Sequence, residues 1–360
     1  MLPKNREDAF PKRNREYNGW TMRQTGGSAA KLAEVRAITA PVGRTRGKTR
    51  VRPSDYDVLV VGGGPAGLSA ASYCGRKFLR TAVFEGECWG GIMTRGCPDK
   101  RIDDYPGVSP GIRADELANS LLAFARRAEV DLVERRVEEI TEKKEVRAGK
   151  EWFRGKVVIL ANGSTTTEAG IPREKEIADR GGGIYYEMPD PTRFRGKRVV
   201  VVGGGDTAFS HVERLSGIAS RITLVHRQKE PRSTVASPAE LERKKVEVLL
   251  HHTVESILGS ESVTGVRLRN ARTGEERDLP ADAVVMAIGT KPNSALLREL
   301  NVSMDWTGQV VTDRWQRTTV PGVFAVGDVS SQLKMIVTAV AQAATAAHQA
   351  YAEIRAPYWK

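Results

Sequence analysis

The stretches YDVLVVGGGPAGLSAASYCG, from Tyr56 to Gly75, and GKRVVVVGGGDTAFSHVERL, from Gly196 to Leu215, read as one piece of chain used twice. Each opens with a β-branched run of the kind buried in a parallel strand. Gly62, Gly64 and Gly67 then fit G-x-G-x-x-G, and Gly203, Gly205 and Ala208 fit G-x-G-x-x-A. In such a turn the first glycine permits the tight bend and the second lets a pyrophosphate reach the backbone. The third lets helix and strand pack closely, while the helix N-terminus favours phosphate charge. A chain that does this twice is expected to be α/β, with two Rossmann-like dinucleotide-binding domains.

The two copies differ where a nucleotide ribose would lie. After the first, a helical stretch from Pro65 to Gly75 leads to the strand TAVFE, whose Glu85 follows Gly62 by 23 residues. A carboxylate there accepts hydrogen bonds from a ribose diol. After the second, ITLVH ends at His226, again 23 residues past Gly203, and Arg227, Lys229 and Arg232 follow. Guanidinium groups bind a 2′-phosphate that a carboxylate would repel. The first turn therefore suits a nucleotide with a free ribose and the second suits NADPH. Farther on, GVFAVGDVSS places Asp328 at a strand end, suited to a ribityl hydroxyl. The Ala-rich helix after it would turn its positive end toward the pyrimidine edge of a flavin.

Composition narrows the class. No run of about 18 apolar residues appears, so nothing reads as a membrane span. Cys74, Cys88 and Cys97 are the three cysteines, too few and too odd in number for a disulfide scaffold, and the expectation is a reducing cytoplasm. The five histidines show no metal spacing. Of the +12 formal charge, +9 falls within residues 1–54, where thirteen Lys/Arg meet four Asp/Glu. That extension lacks periodicity and is expected to be mostly disordered. It reads as a solvated tail or, more sharply, as an arm for an acidic partner; nucleic acid is not the expected partner. Met22 is an alternative start.

VVGGGPAGLSAA, VVVVGGGDTA, VHRQKEPR and GVFAVGDV, in this order, resemble the two-dinucleotide-domain flavoproteins of the thioredoxin reductase group, over residues 55 to about 352. The resemblance implies an FAD domain split by an inserted NAD(P)H domain. The expected divisions are the extension 1–54, FAD domain 55–170, NAD(P)H domain 171–280, FAD domain 281–352 and a tail 353–360. It implies FAD contacts at Gly62, Gly64, Pro65, Ala66, Gly67, Glu85, Gly90, Gly91, Asn162, Gly327, Asp328, Lys334 and Met335. It implies NADPH contacts at Gly203, Gly204, Gly205, Asp206, Thr207, Ala208, His226, Arg227, Arg232 and Gly289.

Thioredoxin reductases carry a CxxC just before their second glycine-rich strand. Here Tyr186, Glu187, Met188 and Pro189 occupy those four places. GCPDKRIDDYPGVSPGIRADELANSL, YYEMPDPTRFRGKRVVVVGGGDTA and HRQKEPRSTVASPAEL are more similar to thioredoxin-reductase-like ferredoxin–NADP reductases, which also lack the disulfide. The chain departs from them at Cys97, where an aromatic is usual, at Ile92 in place of Gln, and at Gln228 in place of the second Arg, which leaves NADH possible. The function this implies is transfer of electrons from NADPH through FAD to ferredoxin or flavodoxin, by a homodimer. Two alternatives stay open: a disulfide reductase or dithiol oxidase working without an internal CxxC, with Cys97 as a candidate redox thiol, and a slow FAD/NADPH-binding redox sensor. Tyr358 and Trp359 in the tail could cover a flavin face or fray.

Overall fold

The computed structural model describes residues 55–96, 98–231 and 238–356. The described residues open with strand β1 (Tyr56–Val61), helix α1 (Pro65–Gly75) and strand β2 (Thr81–Phe84). Short strands at Asp131–Val133, Val137–Ile140 and Glu145–Ala148 lead to β3 (Glu151–Leu160) and then β4 (Ser164–Thr166). A second α/β unit follows: a short strand Ile184–Tyr185, β5 (Arg198–Val202), α2 (Asp206–Leu215), β6 (Arg221–His226) and a strand Glu247–Leu250. Three antiparallel strands between His252 and Pro280 precede β7 (Ala283–Met286). The chain returns through β8 (Thr290–Pro292) to β9 (Val323–Ala325) and ends in α3 (Ile336–Arg355).

Two sheets result, the inner one mixed, with Glu145–Ala148 antiparallel to β3 and Val137–Ile140 antiparallel to Glu145–Ala148, and the second one parallel. In the inner one, β2, β1 and β3 lie side by side and β9 pairs with the end of β3, Val323 opposite Val158. β9 comes from the far end of the chain, so this lobe is discontinuous and everything between β4 and β8 is inserted into it. In the second sheet the order is Ile184–Tyr185, β7, β5, β6, Glu247–Leu250, all parallel. The fold is thus α/β with two Rossmann-like units, as the twin turns required. The expected boundary at 280/281 needs correction: β7 pairs with β5, Val199 opposite Ala283 through Val202 opposite Met286. The inserted lobe therefore runs through β7, and the return crossing falls at Thr290–Pro292.

Apolar runs decide these positions. Val58 to Val60, Val199 to Val201 and Ala283 to Val285 are essentially inaccessible to solvent, as central parallel strands covered on both faces must be. α1 is nearly all small residues and shares one core cluster with α3, where Ala66, Ala70 and Ala71 meet Ala339, Ala343 and Ala346. Small side chains on both helices are what lets α1 sit between β1 and α3. The outward and return crossings run side by side as a two-stranded ladder, with Thr166 opposite Thr290 and Ser164 opposite Pro292. Asn162 fastens the base of this neck by donating to the Asn293 carbonyl at 2.6 Å. Among the described residues no helix is long and apolar enough to cross a membrane.

Candidate functional site

A long cleft opens along the carboxyl ends of the inner strands, where ligands of open α/β sheets bind. Its walls include Gly62 to Ala66, Glu85, Gly91, Asn162, Asp328, Lys334 and Met335. The structure thus brings together nearly every residue expected to touch FAD. Gly67 stands behind the wall, packed against the Gly62 carbonyl. Gly90 does likewise, donating its N–H to the Gly63 carbonyl at 2.8 Å.

The cleft is shaped for a dinucleotide. The N-cap of α1 is Gly64, with no side chain closing the helix end, and a Cβ built there would meet nothing within 4 Å. Glu85, just past β2, is braced by the Gly63 N–H at 2.8 Å and the Glu87 N–H at 2.7 Å. The Oδ1 of Asn162 is buried in the cleft wall without a hydrogen-bond partner in the protein. A buried acceptor left open in this way calls for a donor from a bound molecule. Both crossing strands are stitched to the same cleft. Ser164 on β4 donates to Asp328 at 2.9 Å, and Lys334 donates to the Thr290 hydroxyl at 2.6 Å and its carbonyl at 3.1 Å.

Sequence reading missed the mouth of this cleft. Arg95 lines it and reaches Glu187 of the second lobe at 3.0 Å as well as Glu87. The Arg95 guanidinium, first among several causes, holds the Glu87 carboxyl below the usual carboxylate range; Arg136 pairs with the same carboxylate. Trp89 covers the turn, so that a Cβ on Gly63 would lie 2.6 Å from its ring. No spacing rule ties residue 95 to residue 187, and only the folded path of the chain joins them.

At the second turn, Gly205 is the N-cap of α2, and a Cβ there would again meet nothing within 4 Å. Asp206, Thr207 and Arg227 are exposed beside it, and Gly289 is exposed at the neck. His226 lies at the end of β6 beside the second turn, as Glu85 lies beside the first. It is buried against Gly204, whose added Cβ would lie 2.3 Å from the ring, and its Nε2 is 3.1 Å from the Glu230 carbonyl. It fills space beneath the turn because a glycine leaves room for a ring there. Cys97, Arg232, the 1–54 extension with Met22, and the aromatics Tyr358 and Trp359 lie outside the described residues. Among the described residues no group of three or more His, Cys, Asp or Glu could hold a metal ion.

α2 also meets the inner lobe. Arg214 pairs with Asp99 at 2.6 Å. His211 is 4% exposed, with Nδ1 unpartnered. Burial first, then Arg214 and Lys100, push its imidazole down to about 4. Because the unfolded chain binds that proton more tightly, stability is present above the unfolded value near 6.5 and is lost as pH falls toward 4. From pH 7 to 4.5, His211 is expected to remove about 2–3 kcal/mol. Urea unfolding at the two pH values should show this loss, reduced by that amount in His211→Leu; equal losses in both proteins would contradict it.

Two lobes of this kind with a cleft open on the inner one define a two-dinucleotide oxidoreductase. The family model for the pyridine nucleotide-disulphide oxidoreductases matches residues 56–343, and the chain belongs to that family. It is 36% identical over 302 residues to the thioredoxin reductase of Treponema pallidum, covering 82% of this chain and 96% of that one. Among solved structures it is similar to the thioredoxin reductase of Lactococcus lactis, with a TM-score of 0.76 and 28% identity over 84% of this chain and 100% of that one. The thioredoxin reductase of T. acidophilum gives a TM-score of 0.76 and 29% identity, over 83% and 98%. Thioredoxin reductases of this family bind FAD and NADPH.

Proposed function

We propose that this chain is an NADPH-dependent FAD oxidoreductase of the thioredoxin reductase type that reduces an external disulfide, such as that of a thioredoxin, and does so as a homodimer. The observation carrying this reading is the cleft itself: an open helix N-terminus, a braced Glu85 and the orphaned Asn162 oxygen along one dinucleotide-length wall. When bound there, FAD would take hydride from a reduced nicotinamide and pass the electrons to an acceptor. The protein's part is binding and alignment, which is where hydride-transfer enzymes put most of their effort. The α1 N-terminus neutralises the pyrophosphate and Glu85 fixes the ribose. Asn162, Asp328 and Lys334 fix the far end. Past β6, Arg227 and Arg232 would take the 2′-phosphate of NADPH, with its pyrophosphate at Gly203 to Ala208.

The thioredoxin reductase names of the relatives favour a disulfide acceptor over the ferredoxin or flavodoxin that the sequence segments suggested. One observation keeps the electron-carrier reading as a second choice. Tyr186, Glu187, Met188 and Pro189 offer no thiol on the wall facing Arg95 and Gly96, so an acceptor disulfide would be reduced without exchange onto that wall. NADPH oxidation should be followed with thioredoxin, a small disulfide, ferredoxin and flavodoxin as acceptors. Thioredoxin is expected to support turnover in the ordinary enzymatic range of roughly 1–10³ s⁻¹. Turnover with ferredoxin alone would reverse the choice, and no turnover with any of the four would point to a sensor.

A further inference from the structure

The binding reading above gives Asn162, Asp328 and Lys334 the end of FAD remote from Glu85, which is the ring end. Each of these three side chains is hydrogen-bonded to the neck between the lobes. Asn162 donates to the Asn293 carbonyl just past β8 at 2.6 Å. Asp328 accepts from the Ser164 hydroxyl on β4 at 2.9 Å. Lys334 donates to the Thr290 hydroxyl on β8 at 2.6 Å and to the Thr290 carbonyl at 3.1 Å. β4 and β8 are antiparallel partners, with Ser164 opposite Pro292 and Thr166 opposite Thr290, so Ser164 and Thr290 lie on one small ladder. The binding reading gives neither hydroxyl a part.

We propose that Ser164 and Thr290 are positioning residues for the flavin, Ser164 aiming the Asp328 carboxylate and Thr290 aiming the Lys334 ammonium; the proposal rests on the FAD reading above. The main chain under Asp328 is already fixed from another side. The Gly327 N–H donates to the Gln342 side chain of α3 at 2.7 Å. Gly327 has φ +74°, and a Cβ there would lie 2.9 Å from that of Ala66. What freedom Asp328 keeps is rotation about its own side-chain bonds, and the Ser164 hydroxyl takes that up. Lys334 is exposed, and a lysine stem in water has many rotamers to lose. Two acceptors on one residue hold its ammonium at the cleft wall. A cation fixed near the ring favours the negative charge of the reduced cofactor and raises its reduction potential; one swinging in water does so less. The two hydroxyls therefore have separable effects, Ser164 on FAD affinity and Thr290 on potential.

The test uses the full-length FAD-loaded protein. Its midpoint potential is read by slow photochemical reduction under nitrogen beside a reference dye, and FAD affinity by the flavin fluorescence released on dilution. Thr290→Val is expected to shift the redox equilibrium about threefold against reduction, a fall of about 14 mV for a two-electron couple. Thr290→Ser, which keeps the hydroxyl, is expected to hold the wild-type potential. Lys334→Met is expected to lower the potential at least as far, and adding Thr290→Val to it is expected to change nothing more, because Thr290 acts through the ammonium. Ser164→Ala is expected to weaken FAD binding about fivefold, the scale of one hydrogen bond, and to leave the potential in place. A potential that is unchanged or raised by Thr290→Val, or that falls equally in the Lys334→Met background, would overturn the role of Thr290. FAD held as tightly by Ser164→Ala as by the wild type would overturn that of Ser164. A protein that takes up no flavin at all strikes the FAD reading itself, whereas a flavin-loaded protein indifferent to every substitution strikes this inference alone.

Discussion

Gly67→Ala is expected to yield protein that has lost its flavin and about 3 kcal/mol or more of stability, the upper end of what overpacking costs. The reason is a contact that cannot relax by a side-chain rotation. A Cβ on Gly67 would lie 1.8 Å from the Gly62 carbonyl oxygen. Gly62 cannot withdraw, because its φ is +108° and its own Cβ position is 2.3 Å from the Ala161 carbonyl just past β3. α1 cannot withdraw either, since Ala66, Ala70 and Ala71 are packed in one core with the alanines of α3. The added methyl must lift the start of α1 away from the turn, and the open helix end then no longer faces the pyrophosphate. Gly67 itself touches nothing in the cleft, so retention of flavin would leave this account without support. Flavin absorption per mole of purified chain and the urea midpoint together measure the effect.

The second large effect is expected at Glu174, a carboxylate only 2% exposed at the root of the neck. It accepts from the backbone N–H groups of Ala169, Gly170 and Ile171 at 2.9, 2.7 and 3.2 Å, and from the Tyr186 hydroxyl at 3.0 Å. Glu174→Ala strands all four donors and is expected to cost about 3–5 kcal/mol. Glu174→Gln is expected to fall between, because every partner is a donor and an amide turns one of its own donors toward them. Tyr186→Phe removes a single bond and should cost about 1 kcal/mol. Burial and then the Glu174 carboxylate push the Tyr186 hydroxyl above its ordinary range. Its contribution is therefore complete below about pH 10 and is lost as pH climbs beyond. Urea unfolding at neutral and alkaline pH reads both effects, and a wild-type midpoint in Glu174→Ala would refute the argument.

Much of this molecule was legible before it was folded. The helix expected from Pro65 to Gly75 spans those residues, and each turn sits between the strand and helix its pattern called for. These features are local, and glycine spacing and apolar runs record them directly. Pairing was not legible. ADAVVM reads as a buried strand in either lobe, and only its registry beside β5 assigns it to the inserted one. His226 occupies the right place for a nucleotide contact, yet its ring turns beneath Gly204, a choice made by packing volume rather than by residue type. Arg95 and Glu187 meet across two lobes, a contact that no local pattern records. The acceptor was not legible: the absent CxxC and three segments pointed to ferredoxin or flavodoxin, whereas the similar proteins are thioredoxin reductases.

The neck between the lobes has an architectural consequence. Ser164 and Pro292 are paired neighbours on adjacent antiparallel strands, although more than a hundred residues of chain separate them. To the inner sheet, the whole inserted lobe is an oversized hairpin loop whose two ends leave and arrive at one spot. Such a cassette can be lengthened, exchanged or remodelled without moving a single strand of its host.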